Sequence, residues 1–396
     1  MYLSHLRVVI GADTFPPDVN GAARFAHRLA VGLAGRGHDV HVVAPSPTGP
    51  ATVEVRDGIT VHRLRAYRTG AHPTFRVSPP WQTTAAGTRL LAELKPDVVH
   101  VQAHFSVGRG LARAAARVGV PLVATNHFMP ENLFGYAKVP PWLRRQAARL
   151  AWRDLVRVFS PADAVTAPTP RAVQLLHDNG LHRHATAISC GIDLDRHAAA
   201  PRPYSGANRT VLFVGRLDQE KRVDEMLRAL ALLPPWIRAE IVGQGACRQT
   251  WEELAGSLGL AERVRFLGYV DDAELLRAYA RCDAFCMPGV AELQSLVTLE
   301  AMAAGKPVVA ADAMALPHLV RPGENGYLFP PGDVAALADG LLGVLADPAV
   351  TTRMGAASRR IVAGHDLGNT LDEFENLYLR VLGEDAAVPV PAGMAA

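Results

Sequence analysis

Arg216 and Lys221 stand five residues apart in Val-Leu-Phe-Val-Gly-Arg-Leu-Asp-Gln-Glu-Lys, residues 211–221. Residues 211–214 read as a strand apolar on both faces, and Gly215 as the turn that ends it. At the carboxyl end of such a strand, the arginine offers a planar fork suited to phosphate and the lysine a point charge. Two fixed cations of this kind stabilise the charge that grows on a departing diphosphate, without a metal ion. Taken alone, the pair fits the solvated start of a helix equally well.

A second constellation follows. Glu292 and Glu300 are eight residues apart in Glu-Leu-Gln-Ser-Leu-Val-Thr-Leu-Glu, after a strand at 284–287 and Pro288-Gly289. Ser295 and Leu296 open a helix here, whose free N–H groups suit a phosphate. Glu292 sits in the loop at strand-end height. Glu300, two turns further, is placed to accept both hydroxyls of a ribose. Two glutamates at this spacing are commonly solvated. The small-residue helix and the Gly-Lys-Pro-Val-Val strand that follow set these apart.

In the first half, Asn20 and Gly21 follow a strand at 8–10 and are N-cap candidates for the first helix. His127 closes Thr-Asn-His after a strand at 122–124. A lone histidine after a strand is more often structural than functional. His100 and His104, in Val-Val-His-Val-Gln-Ala-His, fall on the structural side, with His104 kept as an acceptor-side candidate. Gly243-Gln244-Gly245 lacks the third glycine of a dinucleotide fingerprint and its acidic residue about twenty positions on. It reads as a turn near a nucleotide base. Cys282 and Cys286 have no His or Cys partner nearby and read, with Cys190 and Cys247, as reduced core cysteines. No Asp-x-Asp pair falls at a cleft-facing strand end, so no metal site is expected.

These residues need elements to hold them. Short β-branched runs at 8–10, 40–43, 60–62, 98–101, 122–124 and 164–167 alternate with helical periods at 21–36, 84–94 and 106–118. The pattern restarts with strands at 211–214, 239–242, 264–267, 284–287 and 307–310 and helices at 223–233, 250–258, 273–281 and 296–304. Strand–helix alternation with doubly apolar strands implies an α/β protein of parallel sheets covered on both faces. Its repetition implies two Rossmann-like domains facing across a cleft, with ligands beyond the carboxyl ends of the strands. The Pro- and Ala-rich stretch 198–203 reads as a linker, and 387–396 as a disordered tail.

Composition sets the bounds. Nearly half of the 396 residues are apolar, and 41 Lys plus Arg against 38 Asp plus Glu leave +3. That charge is too mild and too scattered for a nucleic-acid partner. The N-terminal residues lack the pattern of a secretory signal, and no run reaches about 18 apolar residues; a cytoplasmic protein is expected. Residues 142–158 carry five arginines and two tryptophans at helical spacing. Such a helix can lie on an anionic membrane. Packing against its own domain with snorkelling arginines is the favoured alternative, which leaves weak peripheral contact with the inner membrane face open.

Over nearly its full length the chain resembles glycosyltransferase family 4, the retaining GT-B enzymes. The resemblance is most specific over 213–221, 292–309 and Gly-Glu-Asn-Gly-Tyr-Leu-Phe-Pro-Pro-Gly at 323–332. It implies a GT-B fold with an acceptor-side domain at 1–190 and a nucleotide-sugar domain at 191–365. A C-terminal helix at 366–386 would pack back on the first domain. It also implies that His127, Glu292, Arg216 and Lys221 are catalytic, with His127 beside the donor sugar and Glu292 on its hydroxyls. The implied donor contacts are Asn20, Gly21, Gly215, Arg216, Lys221, Gly243, Glu292, Ser295, Leu296 and Glu300, the last on the ribose. No cofactor is implied beyond a nucleotide-diphosphate sugar as co-substrate. The implied reaction moves a hexose from a UDP- or GDP-sugar, UDP being favoured, to a lipid or small-molecule hydroxyl by front-face attack. Ala22 stands where the family usually has a second glycine, and Leu-Gln-Ser-Leu at 293–296 replaces its usual aromatic or glycine residues. The hexose is therefore not named by that loop. The alternatives are a nucleotide-sugar-binding regulatory protein, a GT-B epimerase or phosphorylase, and a dehydrogenase disfavoured by the missing fingerprint.

Overall fold

The computed structural model describes residues 5–18, 20–68, 76–130, 139–198 and 208–383. Most of the linker stretch and the whole of the C-terminal tail lie outside the described residues. In chain order the first half supplies strands β1 (Arg7–Gly11), β2 (Asp39–Pro45), β3 (Thr52–Arg56), β4 (Ile59–Leu64), β5 (Tyr67–Arg68), β6 (Arg76–Val77), β7 (Val98–Val101), β8 (Leu122–Thr125), β9 (Ala164–Ala167) and β10 (Ala185–Ala187). The second half supplies β11 (Arg209–Val214), β12 (Ile237–Val242), β13 (Val264–Gly268), β14 (Ala284–Met287), β15 (Val308–Ala311) and β16 (Gly326–Phe329).

Two large sheets result, in the orders β10-β9-β8-β7-β1-β2-β4-β3 and β13-β12-β11-β14-β15-β16, and β5 and β6 form a separate two-stranded pair. In both, the strand order reverses at the central strand: β1 lies between β2 and β7, and β11 between β12 and β14. That is where the crevice of an open α/β sheet forms. The strands are buried because both faces are apolar: Val8, Val9 and Ile10 in β1, and all four residues of β14, have no exposed surface.

The expectation of wholly parallel sheets needs two corrections: β5 and β6 pair antiparallel, and the first sheet has an antiparallel edge. β3 runs antiparallel to β4 at the edge of the first sheet. Asp57 and Gly58 between them have φ of 52° and 78°, both positive as a two-residue hairpin turn requires. β3 is exposed along its whole length, so it has no doubly apolar run to mark it.

The chain passes between the sheets at Gly191, whose φ is +61°. It crosses back beside that point: Ile192 donates to the His365 carbonyl at 3.0 Å and Leu367 to the Ile192 carbonyl at 2.9 Å. The helix Leu367–Val381 then lays Leu371, Phe374, Leu377 and Tyr378 into the core of Val8, Ile10, Phe25 and Leu29. Arg36 holds this helix through Asp372 and Glu375, both at 2.6 Å, and His38 meets Glu375 at 2.9 Å.

The arginine-rich segment forms the helix Pro141–Phe159. Its second half packs inward through Trp152, Leu155, Val158 and Phe159, while Trp142 and Leu150 of its first half are exposed. Among the described residues, no single helix is long and apolar enough to cross a membrane.

Candidate active site

The loops at the carboxyl ends of β11 and β14 meet through opposite charges. Asp218 to Lys221 closes a short turn after β11, and Val290 donates to the Glu220 carbonyl at 3.0 Å. Lys221 Nζ pairs with Glu292 Oε1. Arg216 is forked between Asp218 at 2.8 Å and Glu220 at 2.9 Å, with about a third of its side chain exposed. Burial raises the Glu220 carboxyl above its ordinary range, against the pull of Arg216. Arg216, Lys221 and Glu292 thus form one charged cluster at the strand ends, so an entering diphosphate would compete with carboxylates already on both cations.

Glycine makes this possible. Gly243, at φ +136°, lies so close to Gly215 that a β-carbon would overlap the Gly215 carbonyl, and one on Gly245 would meet the Leu217 backbone. The Gly-Gln-Gly turn therefore packs against the backbone that carries Arg216. Ser295 has φ of +68°, and its hydroxyl lies 2.8 Å from that of Thr298. The helix Leu296–Ala303 starts there, and Leu296 packs against the core of the facing domain, where a β-carbon added to Gly21 would meet it. Asn20 caps the first helix, Gly21–Gly35, by accepting from Ala23 N at 2.8 Å.

Glu300 is almost wholly buried, at 1% exposure, and fully partnered. Its Oε2 accepts from the Tyr279 hydroxyl at 3.0 Å, and its Oε1 from Arg28 of the first helix at 3.0 Å, with Arg24 at 3.8 Å. Burial together with Glu300 drives the Tyr279 phenol well above its ordinary range. Arg28, Arg24, Tyr279 and Gln294 were not singled out from the sequence. Gln294 accepts from Cys190 N and donates to Ser189 Oγ, both at 2.8 Å, and so ties the glutamate loop to the crossover. The only signal for the arginines was their four-residue spacing on the first helix.

His127 lies at the end of β8, away from the charged cluster's own loops. It lines a pocket with Asp13, Thr14, Ala22, Gln102 and Phe128. Burial lowers its pKa to about 4, so the ring is neutral at ordinary pH. Asp13 is raised to about 6 by burial, although it accepts from Val107 N at 2.7 Å and Gly108 N at 3.2 Å at the start of the helix Ser106–Val118. The ring of His104 is buried against Phe105 and Phe128, two residues that line this pocket, and does not line it itself. The four cysteines are free, and three are buried.

Two doubly covered parallel sheets with charged strand ends turned to one cleft define a GT-B architecture. Solved structures agree: this chain superimposes on sucrose-phosphate synthase from Thermosynechococcus elongatus with a TM-score of 0.80 at 22% identity, covering 95% of this chain and 100% of that one. It superimposes on Anabaena HepE in complex with UDP with a TM-score of 0.76 at 21% identity, covering 94% and 99%. Family models for glycosyltransferase family 4 and for glycosyl transferases group 1 match residues 19–196 and 201–361. A GDP-mannose-dependent alpha-mannosyltransferase of Mycobacterium tuberculosis is 31% identical over 96% of this chain and 97% of its own. A phosphatidyl-myo-inositol mannosyltransferase of the same species is 36% identical over 92% and 94%. The chain belongs to glycosyltransferase family 4, and it is an enzyme that uses a nucleotide-sugar donor.

Proposed function

We propose that this enzyme is a retaining hexosyltransferase that moves mannose from GDP-mannose to a hydroxyl of a lipid or small-molecule acceptor. One observation carries the site: Arg216, Lys221 and Glu292 gather at the ends of β11 and β14. The sugar and nucleotide rest on the mannosyltransferase relatives, one of them named for GDP-mannose, and shift the choice from UDP, which the sequence favoured, to GDP. In this proposal residues 1–190 carry the acceptor and 191–365 the donor.

The diphosphate sits between Arg216, Lys221 and the start of the helix Leu296–Ala303, with Gly21 on the facing side. Glu292 accepts from sugar hydroxyls, and Glu300 from the ribose diol once Arg28 yields. The acceptor oxygen attacks the anomeric carbon on the face from which the diphosphate leaves. The bond from that carbon to the phosphate oxygen breaks, and the acceptor proton passes to the departing diphosphate. The charge gained there is met by the two cations, so no metal ion is needed in this scheme.

A thermal-shift screen of nucleotide sugars followed by proton NMR of the product tests the proposal. GDP-mannose should give the largest shift, and the α-linked donor an α-linked product. A β-linked product would falsify the retaining mechanism. Stabilisation by UDP-sugars alone would overturn the donor.

A further inference from the structure

A buried chain of hydrogen bonds runs from His127 to the C-terminal helix. Gln102 Oε1 lies 2.9 Å from His127 Nε2. An amide oxygen only accepts, so His127 carries its proton on Nε2. The amide nitrogen of Gln102 lies 3.2 Å from His100 Nε2 and donates to it. The His100 proton therefore sits on Nδ1, which donates to the Tyr378 hydroxyl at 2.7 Å. Thr125 Oγ1, 2.6 Å from the same His100 Nε2, joins Thr166 Oγ1 at 2.6 Å. None of His100, Gln102, Thr125, Thr166 and Tyr378 is more than 2% exposed. Burial holds His100 down to about 3 and His127 to about 4, so both rings are neutral. In a buried network each bond constrains the next, because a donor facing a donor is costly.

We infer that Gln102, His100 and Tyr378 are positioning residues that hold His127 as its Nε2–H tautomer and leave the Nδ1 lone pair to accept a hydroxyl of the donor sugar. This rests on the proposed function for the identity of the ligand, but the tautomer itself does not. The Nδ1 atom faces only the weak thiol donor of Cys190, at 3.9 Å, among the described residues. A sugar hydroxyl is the stronger donor of the two. Tyr378 belongs to the helix Leu367–Val381, so the state of a ring in the cleft is set by an element from the far end of the chain.

Long-range proton–nitrogen NMR on protein with 15N-labelled histidine reads the tautomer directly. His127→Asn identifies its signals among the 15 histidines. The wild type should show His127 protonated on Nε2 alone. Gln102→Leu should show both tautomers, with the donor KM raised several-fold and turnover at saturating donor changed less. Gln102→Glu keeps the oxygen that accepts from His127 but loses the amide that donates to His100, so His127 should stay protonated on Nε2 while the His100 proton moves from Nδ1 to Nε2. Tyr378→Phe removes the acceptor of the His100 Nδ1 proton without touching His127. His100 should then protonate on Nε2, the Gln102 amide should turn over, and His127 should move to its Nδ1–H form. Tyr378→Phe with His127 unchanged overturns the relay, as does Gln102→Leu with a lone Nε2–H signal. If Gln102→Leu does not fold, Tyr378→Phe decides alone. The NMR signals do not depend on sugar transfer, so a failed relay and a failed transferase assignment give different results.

Discussion

At the scale of single residues, the site is a set of charges that already hold one another. In the proposed reaction Arg216 meets diphosphate in the bound donor and again as it departs, but the charge grows only on departure. A charge-assisted hydrogen bond contributes roughly 1.5–3 kcal/mol, so Arg216→Ala should lower turnover about ten- to a hundredfold at saturating donor. Glu300→Ala should mainly raise the donor KM, because a ribose does not change during transfer. If Glu300→Ala loses turnover as severely while still binding donor, its assignment to the ribose fails. Arg28→Ala addresses the same carboxylate from the other side. Glu300 is left buried with one partner fewer, which costs roughly 3 kcal/mol or less since Tyr279 remains. Added GDP-mannose should then raise the melting temperature more than it does in the wild type, because the ribose diol replaces the lost donor. An equal or smaller rise counts against Glu300 as the ribose ligand. Arg216, Lys221, Glu292, Glu300 and His127 were singled out by the family resemblance, because residue type and spacing alone left each open to a structural reading. Arg28 was not, because its partner lies 272 positions away, and Gln102 was not, because one amide between apolar neighbours carries no local pattern.

At the scale of elements, the central strands and most helices were legible from doubly apolar runs and helical periods. The edges were not. β3 has no buried face, and the Asp57-Gly58 turn that announces it went unused. β16 at the other sheet's edge is only partly buried. The second helix starts at Pro80 rather than at 84, because proline is tolerated in a helix's first turn and the apolar period sets in later. Turns between elements carry their own constraint. Gly243→Ala would both strain a φ of +136° and push the β-carbon into Gly215. The loop that carries Arg216 must move to make room. Gly243→Ala should therefore lower the melting temperature and raise the donor KM together. Wild-type values of both would show that the turn does not brace the cation loop. On the C-terminal helix, Phe374 has no exposed surface. Phe374→Ala should cost roughly 3–5 kcal/mol in a urea melt, and a cost under about 1 kcal/mol would mean the helix is not part of the first domain's core.

At the scale of the whole molecule, the twice-repeated strand–helix pattern made two sheets legible, but the buried polar groups that join them were not. Those groups make the fold sensitive to acid. Burial lowers His100 to about 3 and His104, His127 and His365 to about 4, from an ordinary 6.5. A depressed folded-state pKa means that the unfolded chain takes up protons that the folded chain refuses. The stability these four rings contribute is complete above about 6.5 and falls as pH drops toward their folded values. Asp13 works in the opposite sense: burial raises it from 3.8 to about 6, so the folded state gains on the unfolded as pH falls through 6. Near pH 5 four histidines oppose one carboxyl, and each proton of difference is worth about 1.4 kcal/mol per pH unit. These five groups together give a slope of about 4 kcal/mol per unit toward lower stability in acid, and the lowered rings of His41, His62 and His318 act in the same direction. His365 sits at the crossover, where its Nδ1 lies 2.9 Å from Ser189 Oγ, so acid acts on the joint between the domains as well as on the first domain's core. Urea unfolding midpoints should fall steadily from pH 7 to pH 5, and His100→Gln should flatten the fall by removing one of the four groups. A midpoint that holds constant over that range would show that the rings are protonated in the folded protein, and with them the neutral His127 on which the cleft depends would be lost.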